Sequence, residues 1–334
     1  MKTKSSEALS RKPVYRFNYA TMSWDEHKWW QVPLTSYKMP RNYNKGKLVV
    51  VTYNVLCDIF SDIEKVIHSP IRFNHQLTKL LPSTNADVIA LQEVTFAYLE
   101  KLLAQEWVRT NYFLSHYEEV KVRSKVSHTM LVVILSKVPI IENYLYYFNP
   151  DKCQNAPRPA TICVVPCPGS ENTEKLVLVS FHLKAGAEFS KTRQTQFDMI
   201  ANLIGGGKKQ PPDDKFASTC NHCILLGDTN MTAEEQYINS KFVDVWPTLM
   251  SEEDGFTYDY KTNSIVTKIK QDDTKQIRFD RILSFTSSQV SRWIPVNTII
   301  FGKENISTLH PYLTCSDHYA LAAQFEYECT NKIK

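Results

Sequence analysis

No uninterrupted apolar stretch in the 334 residues approaches the roughly 18 that a membrane-spanning helix requires. The opening, MKTKSSEALSRK, also lacks the continuous apolar segment of a secretory signal. These absences predict an intracellular protein, nuclear or cytoplasmic, with no membrane contact. The eight cysteines (57, 153, 163, 167, 220, 223, 315 and 329) follow no regular spacing, which argues against a disulfide framework and for reduced thiols. A zinc knuckle at Cys220 and Cys223 would need a second ligand pair, and CVVPC at 163–167 is the one local candidate. Cys223 more simply opens an apolar strand and packs there. Strong net charge is missing too. The formal +4 comes from residues 1–46, which hold nine Lys or Arg against three acids, leaving 30 basic and 32 acidic residues in the rest.

That basic arm carries Trp24, Trp29 and Trp30, with Tyr15, Phe17, Tyr19, Tyr37 and Tyr43 around them. Basic residues mixed with aromatics can bind nucleic acid by neutralising phosphates and stacking bases. The same aromatics can instead pin an extended arm across the outside of a domain, and this reading is preferred, because an exposed Trp cluster invites aggregation.

From Lys47 the pattern changes. KLVVVTYNVL and ADVIALQEV read as strands with nearly continuous apolar runs, and HTMLVVILSKVPI, PATICVVPC, KLVLVSFHL and HCILLGDTN repeat that design. FAYLEKLLAQEW has helical spacing, and SKTRQTQFDMIANLI places Phe197, Ile200, Ala201 and Ile204 on one stripe. GGGKKQPPDDKFAST at 205–219 is a loop, and QIRFDRILSF and YALAAQFEYE read as closing strands. No internal boundary interrupts this run, so one domain is expected from residue 47 to 328. Strands apolar on both faces, alternating with helices, predict an α/β protein whose sheets are covered by helices.

The polar residues of interest sit at strand ends: Asn54 in TYN, Glu93 in LQE, His182 in SFHL, Asp228 and Asn230 in GDTN, Asp317 and His318 in SDH, with Asp280 in RFDRIL. A carboxylate placed directly after VIAL is costly near a core unless a cation or donors compensate it. Several such oxygens together would suit Mg2+, which takes one or two protein carboxylates and keeps waters for a phosphate substrate. Asp228 and Asn230 are two residues apart and share a side if the chain stays extended through Thr229, which then faces away into packing. Each residue alone has an ordinary explanation as a turn, a cap or a solvated end. Their joint occurrence at strand termini does not.

In this order, TYN, LQE, HL, GDTN, RFDRIL and SDH resemble the signature of the endonuclease/exonuclease/phosphatase superfamily, over residues 47–326. The resemblance implies a DNase I-like, four-layered α/β sandwich of two packed mixed β-sheets flanked by helices. It implies Glu93 as the principal Mg2+ ligand, with Asn54 and Asp317 nearby, and Mn2+ as a substitute. Asp228 would orient or deprotonate the attacking water and Asn230 would hold a phosphate oxygen. His318, oriented by Asp280, would stabilise charge on the phosphoryl group, with His182 on its other side. Such a set supplies what phosphodiester hydrolysis needs: an activated water, a cation, and donors aimed at nonbridging oxygens.

GDTN, DGFTYDYKTN at 254–263, FVDVWPTL at 242–249 and RFDRIL resemble the 5′-tyrosyl-DNA phosphodiesterase branch, which implies a DNA-repair enzyme. TYN, HLKAG and MTAEE depart from that branch, and YNVLCD with HLKA is similar instead to nocturnin and deadenylase relatives that shorten RNA from its 3′ end. Lys184 in HLKAG reads equally as a phosphate contact and as a solvated lysine. The expected partner is therefore nucleic acid, either DNA with a 5′ protein adduct or RNA, bound by a monomer. A catalytically silent nucleic-acid-binding module is the reading from another class, opposed by the presence of every signature acid and base.

Overall fold

The computed structural model describes residues 9–28, 39–126, 130–149, 153, 158–168, 174–205, 220–232, 234–235, 238, 240–269, 273–306 and 313–329. Strands are numbered in chain order. One sheet has seven, in the order β1 (Leu9–Arg11), β8 (Glu142–Tyr146), β9 (Ala160–Pro166), β10 (Lys175–His182), β11 (His222–Asp228), β15 (Asp280–Thr286) and β12 (Val243–Asp244). The other has eight, in the order β16 (Ser291–Phe301), β17 (Ala320–Cys329), β4 (Lys47–Asn54), β5 (Val88–Val94), β7 (Leu131–Ser136), β6 (Phe113–Leu114), β2 (Tyr15–Asn18) and β3 (Ser23–Glu26). A short ribbon pairs β13 (Tyr258–Asp259) with β14 (Gln276–Ile277).

The apolar runs explain the layering. Leu48, Val50, Val88, Ala90 and Ile134 from the larger sheet meet Cys163, Val165, Leu176, Leu178, Ile224, Leu226 and Ile282 from the smaller in one buried cluster. Each fully buried Val, Leu or Ile contributes about 1.5–3 kcal/mol. The outer face of the larger sheet packs Val51, Tyr53, Ile89 and Leu91 against helical Phe73, Leu77, Tyr98, Leu99 and Leu102. The smaller sheet packs against the helix Ser190–Gly205 through Phe197, Ile200, Ala201 and Ile204, the stripe expected from its spacing. The result is the four-layered sandwich of two mixed sheets. No helix among the described residues is long and apolar enough to cross a membrane.

Two parallel pairs bring the important strand ends together. β4 runs parallel to β5 with Asn54 opposite Gln92, and β10 runs parallel to β11 with His182 opposite Asp228. Gly227 is required in that pairing, since a Cβ there would lie 2.3 Å from the Phe181 carbonyl oxygen.

The sheets extend outside 47–328. β1 pairs with β8 at the edge of the smaller sheet, and the hairpin of β2 and β3 adds to the larger one beside β6. Phe17 and Trp24 pack edge to face there, with the Arg109 guanidinium 4.7 Å over Phe17. Trp29, Trp30 and Tyr37 of the arm, and 206–219 of the expected loop, fall outside the described residues. The helix expected over FAYLEKLLAQEW divides into Phe96–Leu103, capped by the Thr95 hydroxyl, and Glu106–Asn111. Cys220 and Cys223 are buried, and the Cys220 thiol donates to the His222 carbonyl at 3.4 Å.

Candidate active site

Asn54, Glu93, His182, Asp228, Asn230, Asp317 and His318 line one cavity of about 440 Å3. Volume does not single it out, since grooves of about 460 and 560 Å3 lie elsewhere on the surface. Its donors do. Asp280 is buried behind the cavity, with Oδ2 2.8 Å from His318 Nδ1.

Each sheet supplies half of the site, and Asn54 joins the halves. At the end of β4 its Oδ1 accepts the Leu56 N–H at 3.1 Å, while its Nδ2 donates to Asp228 Oδ2 at 3.1 Å. Glu93 reaches the cavity because β5 is irregular between Leu91 and Val94, where its register with β7 shifts. Glu93 itself has φ +62°, a left-handed conformation costing a residue with a Cβ about 1–3 kcal/mol. The Cys57 N–H donates to its Oε2 at 3.2 Å. Gln92 points the other way and its amide donates to Ser180 Oγ at 3.2 Å, linking the two sheets behind the site.

The loop after Asn54 is held by Arg72, which is fully buried. Its guanidinium donates to the carbonyls of Leu56 (2.8 Å), Val55, Cys57 and Cys315 (each 3.3 Å). Gln76, one turn later, donates to Val55 and Cys315. These bonds tie the segment following Asn54 to the one preceding Asp317 and His318. Ser316 completes the tie, its hydroxyl donating to the Asn54 carbonyl at 2.7 Å.

GDTN differs from the extended reading. The chain turns at Asn230, φ +49°, whose N–H donates to Asp228 Oδ1 at 2.8 Å and whose Nδ2 donates to the Leu183 carbonyl at 3.2 Å. Thr229 does more than pack, because its hydroxyl and its N–H both donate to the Phe279 carbonyl, at 2.7 and 2.8 Å. That contact fixes RFDRIL, and so Asp280, against GDTN. Phe279 in turn stacks on the His318 ring with centroids 5.8 Å apart.

Electrostatically, Asp228 is the centre. Its Oδ2 lies 3.3 Å from His182 Nε2 and 3.9 Å from His318 Nε2. Burial, offset by His318 and reinforced by Asp280, raises its pKa to about 7. Burial alone would lower His318, but the charges of Asp280 and Asp228 overcome it and raise the imidazole to about 10. Between them the proton therefore resides on His318 at neutral pH, giving an oriented imidazolium. His182 is held well below the ordinary histidine value by burial and by the positive charges of Arg158 and His318.

Two donor sets bear on a cation. Ligand atoms of Asp228, Asp280 and His318 lie within 4.8 Å of one another, a spacing one ion could bridge. An imidazolium offers no lone pair, however, and Asp280 Oδ2 is engaged with its Nδ1. Glu93 and Asp317 instead bring two carboxylates to the cavity lining, hard-oxygen donors that fit Mg2+, with Asn54 beside them, its amide oxygen engaged by the Leu56 N–H.

The sequence reading missed Arg158, which also lines the cavity; its Nη1 is buried without a hydrogen-bond partner among the described residues. Its sequence signal is slight: a lone arginine between two prolines just before β9. Lys184 is not among the lining residues, and its ammonium sits 4.5 Å over the Phe189 ring. Apolar Leu56, Phe60, Ile63, Val266, Ile269 and Ile277 line the same cavity.

Comparison with known proteins bears on the fold and the family. Tyrosyl-DNA phosphodiesterase 2 of Xenopus laevis is 28% identical over 160 residues, which cover 45% of this chain and 38% of that protein. The crystal structure of D. rerio TDP2 humanized by 14 mutations superimposes with a TM-score of 0.62 at 21% identity, covering 84% of this chain and 99% of that one. D. rerio TDP2 complexed with single strand DNA product gives 0.61 at the same identity and coverage. At that identity the likeness establishes the fold. The pattern of the Endonuclease/Exonuclease/phosphatase family matches residues 51–318, four-fifths of the sequence, and the chain belongs to that family.

Proposed function

We propose that the protein is a divalent-metal-dependent phosphodiesterase acting on nucleic acid, and that it hydrolyses 5′-phosphotyrosyl DNA adducts, with 47–328 as the catalytic unit. One observation carries the reading: a single cavity is lined both by groups suited to a phosphate, Asp228, His318, His182, Asn230 and Arg158, and by apolar Phe60, Ile63, Val266, Ile269 and Ile277. Such a cavity suits a substrate whose phosphate is bonded to an aromatic or apolar group. Asp228 takes a proton from the attacking water. The His318 imidazolium, Asn230 and Arg158 stabilise the charge gathering on the nonbridging oxygens. Glu93, Asn54 and Asp317 would hold Mg2+, which supplies Lewis-acid neutralisation of the phosphoryl group. The similarity to tyrosyl-DNA phosphodiesterase 2 supports the adduct as substrate.

A 5′-phosphotyrosyl oligonucleotide, a poly(A) oligomer and an abasic duplex, each assayed with Mg2+ and with chelator, test this directly. The first is expected to react at least about tenfold faster than the others, equivalent to about 1.4 kcal/mol in transition-state binding, and to stop on chelation. Preferential shortening of RNA from its 3′ end would overturn the substrate assignment.

The charged groups also set a pH profile. Asp228 acts as the carboxylate, present above about 7, and His318 acts as the imidazolium, present below about 10. Thus kcat/KM should rise through the first value and fall through the second. Asp280→Asn removes the leading charge that raises His318 and should move the alkaline limb down by roughly one unit or more. An unmoved limb removes His318 from the mechanism.

A further inference from the structure

We infer that Arg193 and Glu235 form a positioning pair that locks the loop carrying His182 to the loop carrying Asn230. The inference rests on the phosphodiesterase reading of the cavity, and names residues that act on it without touching substrate.

Arg193 lies in the helix Ser190–Gly205 and is fully buried. Its guanidinium grips Glu235 with two nitrogens, Nε donating to Oε2 at 2.9 Å and Nη2 to Oε1. Its third nitrogen, Nη1, donates to the carbonyls of Lys184, at 2.9 Å, and Gly186. Gly186 has φ +105°, a conformation that a residue with a Cβ rarely adopts. One turn along the helix, Gln196 Oε1 accepts the Lys184 N–H at 3.0 Å. On the other side, Glu235 Oε1 accepts from the N–H and hydroxyl of Thr232, both at 3.3 Å.

One guanidinium thus holds two segments. The first runs from His182 through Ala185, Gly186 and Ala187, all lining the cavity; the second from Asp228 through Asn230 and Thr232, which line it as well. Among the described residues they are tied directly by Leu183, its N–H donating to the Asp228 carbonyl at 2.9 Å and its carbonyl accepting from Asn230, and by His182 Nε2, 3.3 Å from Asp228 Oδ2. Neither Arg193 nor Glu235 is among the lining residues. An ion pair whose arginine is fully buried and whose hydrogen bonds are bidentate tolerates little displacement, and misplacement of a reacting group by about 1 Å costs about 100-fold in rate.

Glu235→Gln and Arg193→Lys, made in the full chain, test the pair. Each variant is assayed for kcat and KM on the substrate that wild type turns over, and for backbone hydrogen exchange. The expected result is a 10- to 100-fold loss of kcat per folded molecule with KM changed less than about threefold. Exchange should quicken in both 182–187 and 230–235 although Glu235→Gln alters only the second segment. Faster exchange confined to the mutated segment, or unchanged kcat per folded molecule, would overturn the pair's role and leave it a staple of the fold. Should one variant fail to fold, the other carries both measurements. Wild type that hydrolyses no phosphodiester would defeat the functional reading alone, because the exchange pattern decides the coupling without turnover.

Discussion

Asp228→Asn should lower kcat by about 10²- to 10⁴-fold, the span that a positioned general base contributes. The substitution preserves size, and its amide oxygen can still accept the Asn230 N–H that now reaches Oδ1 at 2.8 Å. It cannot take a proton from water. It also deprives His318 of one of the three carboxylates, Asp280, Asp228 and Asp317, that raise its imidazole, so the electrophile weakens together with the base. Finally, Asn54 Nδ2 and His182 Nε2, both directed at Oδ2, would compete for a group that is itself half donor. Single-turnover rates on saturating substrate, with circular dichroism to verify folding, provide the measurement. A loss under tenfold would remove Asp228 as the base.

Glu93→Ala carries the second large expectation, a fall of roughly 10³-fold or more in kcat/KM, corresponding to several kcal/mol of cation-dependent stabilisation. A second readout needs no substrate. Mg2+ should raise the thermal midpoint of wild type in proportion to the logarithm of its concentration and leave Glu93→Ala unmoved. The variant without metal need not be less stable than wild type, since a side chain at φ +62° in a bulged strand was not selected for packing. If Mg2+ stabilises both proteins equally, the cation binds elsewhere, and Asp228, Asp280 and His318 become the set to examine.

Much of this site was legible because four apolar strands, β4, β5, β10 and β11, break off at or beside a polar residue, and a break of that kind is visible without neighbours; Asp280 and the Asp317–His318 pair instead lie at or just before the starts of β15 and β17. The register of β10 with β11 and of β4 with β5 then places the breaks side by side. Other features leave no local trace. Arg72 and Arg193 are fully buried and satisfied largely by carbonyls or by a carboxylate 42 positions away. Nothing in their immediate sequence separates them from solvated arginines. Thr229 looked like packing because its acceptor, the Phe279 carbonyl, is 50 residues distant. β16 was not foreseen: as an edge strand it interrupts apolar positions with Arg292, Pro295 and Asn297, and its register shifts between Pro295 and Asn297. The arm was set apart by composition, yet β1, β2 and β3 pair with strands in both sheets, because three- and four-residue strands are too short for alternation to declare itself.

The placement of β17 has a consequence for biosynthesis. This late segment inserts between β16 and β4, and the residues just before it are Asp317 and His318. During translation, β4 must wait for some 270 further residues before its second neighbour exists. Until the ribosome has passed His318, the nascent chain holds the proposed base Asp228 and the proposed Glu93 ligand but lacks the imidazole of His318. The complete site therefore cannot form before this segment is made, and a product truncated before β17 would leave one edge of the strongly apolar β4 unpaired for chaperones or proteases to handle.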